Sequence, residues 1–250
     1  MKYIEFLGQP GAGKTTLMTS LAGGHKGRLH VYEDSVERRF LQNARKRFTL
    51  LYPLVPNSFR SFIFEQLEYK YHDRSLREFM TEYPDFLYAM ATLAEQTSRK
   101  TQFYDWCLRS AEEYQMGMTT LAESETLCLD WNLYHLGAHL MTETSPNLPY
   151  SEFTSYFSAI PTPDVLVHVD APPKVCLSRQ RDRGSDDSTI LSATHAPEYY
   201  SDTLSVQQSF QESCHTVCDN SPPGTDVIHV MNTGSAEEAI NEIARKLDCI

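Results

Sequence analysis

The sequence predicts an α/β fold, in which a five-stranded parallel sheet is flanked by helices on both faces. Short, continuously apolar segments alternate with segments of helical periodicity, which is the pattern of strands buried on both sides of a parallel sheet. A glycine-rich turn joins the first strand to the first helix. Residues 35–122 have a helical pattern rich in aromatic side chains, which predicts a large helical insertion after the second strand.

Five apolar segments predict the strands of this sheet. Each segment is short and lies between glycine, proline or polar residues, as expected for buried parallel strands. The segments are residues 2–7 (KYIEFL), 28–33 (RLHVYE), 126–130 (TLCLD), 163–170 (PDVLVHVD) and 226–231 (DVIHVM).

Helix boundary signals follow three of these strands. The helix after the first strand is predicted over residues 14–22, where GGHKGR breaks it. After the fourth strand, the two prolines at 172–173 suit the first turn of a helix that Gly184 ends. After the fifth strand, Ser235 and Glu238 form a capping box at the start of a further helix.

Charge and composition exclude several classes of function. The 250 residues carry a net charge of −11, so attraction to nucleic acid is disfavoured and a small soluble substrate fits better. No apolar run approaches the roughly 18 residues that span a membrane, and MKYIEFLG passes directly into a strand pattern, so we expect neither a membrane-spanning segment nor a signal peptide. The six cysteines are scattered without a zinc-site spacing, so we expect reduced thiols in a cytoplasmic protein.

The stretch LGQPGAGKTT contains the phosphate-binding motif G-x-x-x-x-G-K-[ST], known as the P-loop or Walker A motif. Its glycines let backbone N–H groups point at phosphate oxygens, and the following helix presents its positive end. Lys14 would reach the β and γ phosphates, and the Thr15 hydroxyl would bind Mg²⁺. We therefore predict that MgATP binds to Gly8, Gln9, Pro10, Gly11, Ala12, Gly13, Lys14, Thr15 and Thr16.

Missing motifs narrow the class of P-loop protein. The sequence has neither the N-K-x-D motif that reads guanine nor the L-S-G-G-Q motif of transporter ATPases. Asp130 ends the third strand, where its carboxylate would hold Mg²⁺ beside the P-loop. The next residue is Trp131, whereas ATP-hydrolysing motors have a glutamate there that activates water. These patterns favour phosphoryl transfer to a small molecule.

Three segments together resemble the thymidylate kinase and deoxynucleoside kinase group. They are the P-loop, the stretch PDVLVHVDAPPKVCLSRQRDRG and the closing stretch DVIHVMNTGSAEEAINEIARKL. The resemblance implies a P-loop kinase fold whose nucleotide-binding core comprises residues 1–34 and 123–250. It also implies an arginine-rich lid near residues 179–200. Residues 35–122 are too long for one crossover helix, so we predict an inserted acceptor-binding subdomain over the carboxyl edge of the sheet.

The resemblance further implies roles for individual charged residues. Lid arginines of this group stabilise charge on the transferring phosphoryl, which implies that role for Arg179, Arg181 and Arg183. Only Arg179 and Arg183 share a helix face, so we do not expect all three to act. Glu33 resembles the strand-end glutamate that serves as general base, and Asp34 is its nearest rival.

The sequence departs from this group in two places. The group has an arginine after the acidic residue of the third strand, where this chain has Trp131, and the second strand lacks the R-E-P pattern of thymidylate kinases. Thymidylate is therefore not the predicted acceptor. Trp131 would either stack on a flat acceptor or pack beneath the insertion, and packing is favoured. Arg38 and Arg39 would either reach an anionic acceptor or form a solvated face.

The sequence therefore predicts a kinase that transfers the γ-phosphoryl group of MgATP to a small acceptor, most simply a nucleoside or nucleotide. One alternative is an ATP-dependent switch or assembly factor whose helical insertion contacts a protein, and Trp131 is its best support. A polynucleotide end kinase is a second alternative, against which the acidic charge weighs. The chain is also compatible with a homodimer.

Overall fold

A computed structural model of the chain describes most of its residues. The described residues are 1–25, 27–32, 36, 38–39, 70, 72–144, 148–186 and 204–247, with the side chains of 183–186 left out. Glu33 and Asp34, the two candidates for the general base, lie outside the described residues.

The described residues form one five-stranded sheet in which all strand pairs are parallel. The strand order is β2-β3-β1-β4-β5, so β1 lies at the centre between β3 and β4. The strands are β1 (Lys2–Leu7), β2 (Leu29–Val31), β3 (Thr126–Asp130), β4 (Val165–Asp170) and β5 (Asp226–Met231). The predicted sheet is confirmed, and β2 and β4 are shorter than their predicted segments.

Helices connect the strands and cover both faces of the sheet. The described helices are α1 (Lys14–Gly24), α2 (72–82), α3 (Phe86–Ala94), α4 (Lys100–Thr120), α5 (Leu133–Thr144), α6 (Thr154–Ser158), α7 (Pro173–Asp186), α8 (Leu204–Asp219) and α9 (Ala236–Leu247). A 3₁₀ helix, Tyr150–Phe153, precedes α6. Within these ranges, every helix is too short or too polar to cross a lipid bilayer.

One face of the sheet packs on α1 and α9. Leu17 and Leu21 of α1 and Ile243 of α9 are buried in this layer. The strand side chains of the layer come from alternate positions, as the two-residue period of a strand requires. They include Ile4, Phe6, Val165, Val167, Val169, Ile228 and Val230.

The opposite face packs on α3, α4, α5 and α8. Tyr3 and Leu7 of β1 point to this side and join Phe86, Cys107 and Phe210 in one hydrophobic cluster. The described helices between β2 and β3 thus pack directly on the sheet. The division of the chain into a core and an inserted subdomain stays a prediction.

Two predicted helix ends differ from the structure, and one helix was not predicted. The helix predicted to end at Gly184 continues to Asp186, and α1 includes both Gly23 and Gly24. Glycine costs about 1 kcal/mol relative to alanine inside a helix, so without a left-handed cap it need not end one. Helix α8 was not predicted at all.

The capping box before α9 forms in part as predicted. The N–H of Glu238 donates to Ser235 Oγ at 3.2 Å. Acidic residues lie in the first turn of α9 and basic residues in its last turn. Both sets of charges interact favourably with the helix dipole and stabilise the helix.

Candidate active site

The P-loop leaves β1 at the carboxyl edge of the sheet and packs closely against the neighbouring strands. A Cβ atom at Gly8 would collide with the carbonyl oxygen of Val169. At Gly13 the φ angle is 96°, and a Cβ atom would lie 2.5 Å from Nδ2 of Asn232. The packing and conformation of the backbone therefore require glycine at both positions, whether or not a phosphate is bound.

Lys14 begins α1 and its side chain is buried over the loop. Its Nζ donates to the carbonyl oxygens of Gly8 at 2.8 Å and Gln9 at 3.2 Å. A triphosphate in the loop would offer charged oxygens to the same ammonium group, and charge-assisted hydrogen bonds are stronger than neutral ones. The side chain is thus held where it was predicted to meet phosphate.

Thr15 and Asp130 meet although 115 positions separate them in the sequence. The Thr15 hydroxyl donates to Asp130 Oδ2 at 2.5 Å. Strand register explains the contact, because Asp130 pairs with Phe6 near the end of β1. A hydroxyl and a carboxylate are oxygen ligands that suit Mg²⁺, so the pair fits the predicted metal site.

Two side chains outside the P-loop hold its backbone carbonyls. Asn232, just after β5, donates from Nδ2 to the carbonyl oxygen of Ala12 at 2.6 Å. Arg179 of α7 donates from Nη1 to the carbonyls of Gly11 at 3.3 Å and Ala12 at 3.4 Å. Its Nη2 donates to the carbonyl of Asn232 at 3.2 Å, so the two residues that hold the P-loop also contact each other.

A second group of contacts fixes the beginning of the loop. Gln180 of α7 donates from Nε2 to the carbonyl of Pro10 at 2.7 Å. The Gln9 side chain donates to the carbonyl of Gln207 in α8 at 2.9 Å and accepts from the Cys176 thiol at 3.0 Å. Helices α7 and α8 therefore both position the P-loop.

Trp131 turns the chain from β3 into α5. Its φ angle is 56°, a left-handed conformation that is uncommon for a residue with a large side chain. The ring lies 4.7 Å from His135, 5.7 Å from Trp106 and 5.9 Å from His139, measured between centroids. These contacts agree with the packing interpretation of Trp131, and its role toward an acceptor stays a prediction.

An aromatic cluster lies beside the P-loop and Asp130. We call it the aromatic side, and it consists of Trp106, Trp131, His135, His139 and Phe210. The Phe210 ring of α8 lies 5.2 Å from the His135 ring and 5.7 Å from the His139 ring, both on α5. We call the other part of the candidate site the phosphate side, and it consists of the P-loop, Asp130 and the two residues that hold the loop, Arg179 and Asn232.

Both histidines of the aromatic side are neutral at pH 7. Burial lowers the pKa of His135 well below its usual range, and the charge of Lys14 adds to this effect. Burial also lowers the pKa of His139 to about 4. Within the described part of the chain, neither ring nitrogen of His135 has a hydrogen-bond partner. Unpaired buried polar atoms are costly, so His135 is an unusual residue at this position.

A buried carboxylate beneath the aromatic side was not predicted from the sequence. Glu5 of β1 accepts a hydrogen bond from the His135 backbone N–H at 2.8 Å and another from the Tyr3 hydroxyl. It therefore caps the amino end of α5 from a neighbouring strand. Burial raises the pKa of Glu5 to about 7, against the lowering effect of these hydrogen bonds.

The predicted basic residues are distributed unequally. Arg179 contacts the P-loop, Arg181 is exposed on α7, and the Arg183 side chain lies outside the described residues. Arg38 is exposed. Arg39 donates to both carboxylate oxygens of Glu125, at 2.8 and 2.7 Å.

The ion pair of Arg39 lies at the opposite edge of the sheet from the P-loop. Glu125 immediately precedes β3, whereas Asp130 ends that strand. The structure therefore does not bring Arg39 together with Asp130, and the prediction that Arg39 binds the acceptor finds no support in this geometry.

Sequence reasoning missed Asn232 and Gln180 because single polar residues after a strand or on a helix carry no distinctive signal. A polar residue inside the apolar run KYIEFL could have drawn attention to Glu5. Helix α8 had a usable signal, since Phe210, Cys214, Val217 and Cys218 follow a helical period.

Comparison of the sequence with models of known protein families and with curated proteins gave no match. Solved structures do match over the full length. A deoxyadenosine kinase from M. mycoides with the products dCMP and a flexible dCDP bound has a TM-score of 0.52, with 15% identity over 100% of both chains.

Two further structures of that enzyme give the same result. The forms with bound dCTP and with bound dATP each have a TM-score of 0.51 and 14% identity, over 99% of this chain and 100% of theirs. The chain therefore shares the fold of these deoxyadenosine kinase structures, a P-loop kinase fold. The sequence prediction of this fold is confirmed, including the helices that separate β2 from β3.

Proposed function

We propose that this protein is a nucleoside kinase that transfers the γ-phosphoryl group of MgATP to a hydroxyl of its acceptor. The observation that carries the proposal is the juxtaposition of two environments at one edge of the sheet. Thr15 and Asp130 meet at 2.5 Å beside the buried Lys14, and the next residue, Trp131, opens the aromatic side. The fold shared with the deoxyadenosine kinase structures supports the same activity.

The aromatic side favours an acceptor with a flat, uncharged ring. Its two tryptophans are partly exposed, and they pack together with a buried phenylalanine and two buried, neutral imidazoles. An aromatic acceptor ring can stack on a partly exposed indole face. The five rings carry no charge, so an anionic group would lose its hydration against them. A nucleoside therefore fits this region better than a nucleotide.

The residues of the phosphate side would bind the triphosphate, bind Mg²⁺ and support the P-loop. Backbone N–H groups of the P-loop and the Lys14 ammonium would bind the β and γ phosphates. Mg²⁺, when bound by Thr15 and Asp130, would neutralise charge on these phosphates. Arg179 and Asn232 would keep the loop in shape through their bonds to its carbonyls.

The transfer needs a proton acceptor at the nucleoside hydroxyl. The bond between the γ phosphorus and the β–γ bridging oxygen would break as the hydroxyl oxygen bonds to phosphorus. The hydroxyl proton would pass to a carboxylate, for which Glu33 after β2 remains the proposed base. Glu33→Gln would then reduce turnover while nucleotide binding persists.

The proposal is tested by following ADP release from MgATP with a panel of nucleosides, nucleoside monophosphates and small alcohols. Lys14→Ala serves as the inactive variant, and Lys174→Ala, which removes an exposed lysine of α7, is its matched control. We expect one or more nucleosides to stimulate ADP release in the wild type and in Lys174→Ala but not in Lys14→Ala.

Other outcomes would redirect the assignment. Stimulation by monophosphates alone would contradict the nucleoside preference and retain the kinase. Binding of ATP without stimulation by any acceptor would reject the kinase and favour the switch or assembly factor.

A further inference from the structure

We propose that His168, Asp170 and His215 form a binding site for a divalent transition metal ion, with zinc as the best fit. One potential ligand atom from each of the three residues lies within 4.8 Å of the others. His168 and Asp170 point to the same face of β4, two residues apart, and His215 reaches them from α8. The His215 Nε2 atom is 3.5 Å from Asp170 Oδ2.

These separations suit a small ion. Two ligands of a tetrahedral zinc ion at about 2.0–2.1 Å are roughly 3.3 Å from each other. The pair His215–Asp170 is already near that value. Two imidazoles with one carboxylate favour zinc, cobalt or nickel over Mg²⁺ and Ca²⁺, which prefer sites made of oxygen ligands.

Neighbouring residues orient two of the three ligands. Gln211, one turn before His215 on α8, donates to Asp170 Oδ1 at 2.7 Å and leaves Oδ2 facing His215. The Nδ1 atoms of His168 and His229 are 3.2 Å apart, across the β4–β5 pair. This contact engages Nδ1 of His168 and leaves Nε2 available as a ligand. Such outer contacts are typical of protein metal sites.

The site is open on one side. His168 is buried, whereas the His215 side chain is 45% exposed, so an ion can enter from solvent at α8. Three protein ligands would leave a fourth position for water. The site is also separate from the predicted Mg²⁺ site, because Asp130 ends β3 on the other side of β1.

A metal ion here would join α8 to the sheet. Helix α8 also accepts the hydrogen bond from Gln9 of the P-loop, through the carbonyl of Gln207. Metal binding would therefore restrain a helix that supports the phosphate-binding loop. We expect a higher melting temperature in the metal-bound protein, because a ligand that binds only the folded state stabilises it.

The experiment uses untagged, chelator-treated full-length protein without nucleotide. Calorimetric titration with Zn²⁺ measures affinity and stoichiometry, and the visible spectrum of the Co²⁺ form reports the coordination geometry. The test variant is His215→Ala, which removes a half-exposed ligand. The matched control is His25→Ala after α1, because His25 bonds to Leu21, Arg28 and Leu29 through its backbone.

We expect one Zn²⁺ per chain, a tetrahedral Co²⁺ spectrum and a metal-dependent rise in melting temperature. His215→Ala should weaken Zn²⁺ binding at least 100-fold while His25→Ala binds as the wild type does. His229→Gln should lose about 10- to 100-fold, the usual effect of removing an outer contact. Absence of stoichiometric binding in the wild type, or binding that survives His215→Ala, would overturn the proposal. Melting curves without metal verify that His215→Ala is folded.

Discussion

The phosphate side and the aromatic side adjoin at Asp130 and Trp131, yet they satisfy their polar groups in opposite ways. On the phosphate side, Lys14, Arg179 and Asn232 all donate to backbone carbonyls of the P-loop or its neighbours. On the aromatic side, His135 is fully buried and its ring nitrogens have no hydrogen-bond partner among the residues described.

This difference indicates which part of the candidate site suits a negatively charged ligand group. Side-chain donors hold the P-loop backbone in one shape, and such preorganisation is what the proposed phosphoryl transfer would require. The aromatic side keeps its imidazoles neutral and surrounds them with apolar rings. Each of the following changes tests one side of this comparison.

The largest effect is expected for Asp130→Asn on the phosphate side. Asparagine can still accept the Thr15 hydrogen bond, so the fold should persist while the negative charge is lost. We expect turnover with the stimulating acceptor to fall about 100-fold or more, with a higher Mg²⁺ requirement, as for other losses of charge stabilisation. Asp226→Asn at the amino end of β5 is the control. Equal activity of the two variants would reject a metal role for Asp130.

Glu5→Gln tests the support beneath the aromatic side through the pH dependence of stability. The folded-state pKa of Glu5 is about 7 and its usual value is 4.5. Between these values the folded protein holds a proton that the unfolded chain has lost, so its stability falls as pH rises.

Glutamine stays neutral, so the variant should lack this contribution. From pH 4.5 to 8, the wild type should lose about 3 kcal/mol more unfolding free energy than Glu5→Gln. Urea titrations across this range measure the difference. Parallel curves for the two proteins would show that Glu5 does not titrate in this window.

Arg179→Ala tests whether bracing of the P-loop matters for activity. The substitution removes the donors to Gly11, Ala12 and Asn232, and we expect roughly a tenfold loss in kcat/KM for ATP. Arg181→Ala on the same helix removes an exposed arginine and should change activity less than about twofold. Steady-state kinetics of both variants measure these losses. Equal losses in kcat/KM would contradict a specific role for Arg179 in supporting the P-loop.

The smallest effect is expected for His135→Phe. Phenylalanine keeps a flat ring among Trp131 and Phe210 and removes two unpaired nitrogens, which should raise the unfolding free energy by about 1 kcal/mol. If His135 binds the acceptor, the KM for that nucleoside should rise while the KM for ATP stays constant. A destabilised variant with unchanged KM values would show that the histidine is only a packing residue.

The sequence by itself determined the order of strands along the chain and the position of the P-loop between β1 and α1. Both depend on short-range patterns: continuous apolar segments, glycine spacing and the capping box at Ser235. The placement of Asp130 beside Thr15 also followed, because parallel strands present their carboxyl ends at one edge of the sheet.

Only the tertiary structure decided which polar residues support that site. Asn232, Arg179 and Gln180 reach the P-loop from elements that fold against it from far along the chain. Glu5 and His135 acquire shifted pKa values because packing of α5 on β1 removes them from water. Desolvation and long-range hydrogen bonds depend on how the elements pack together, and no local pattern of residues encodes that arrangement.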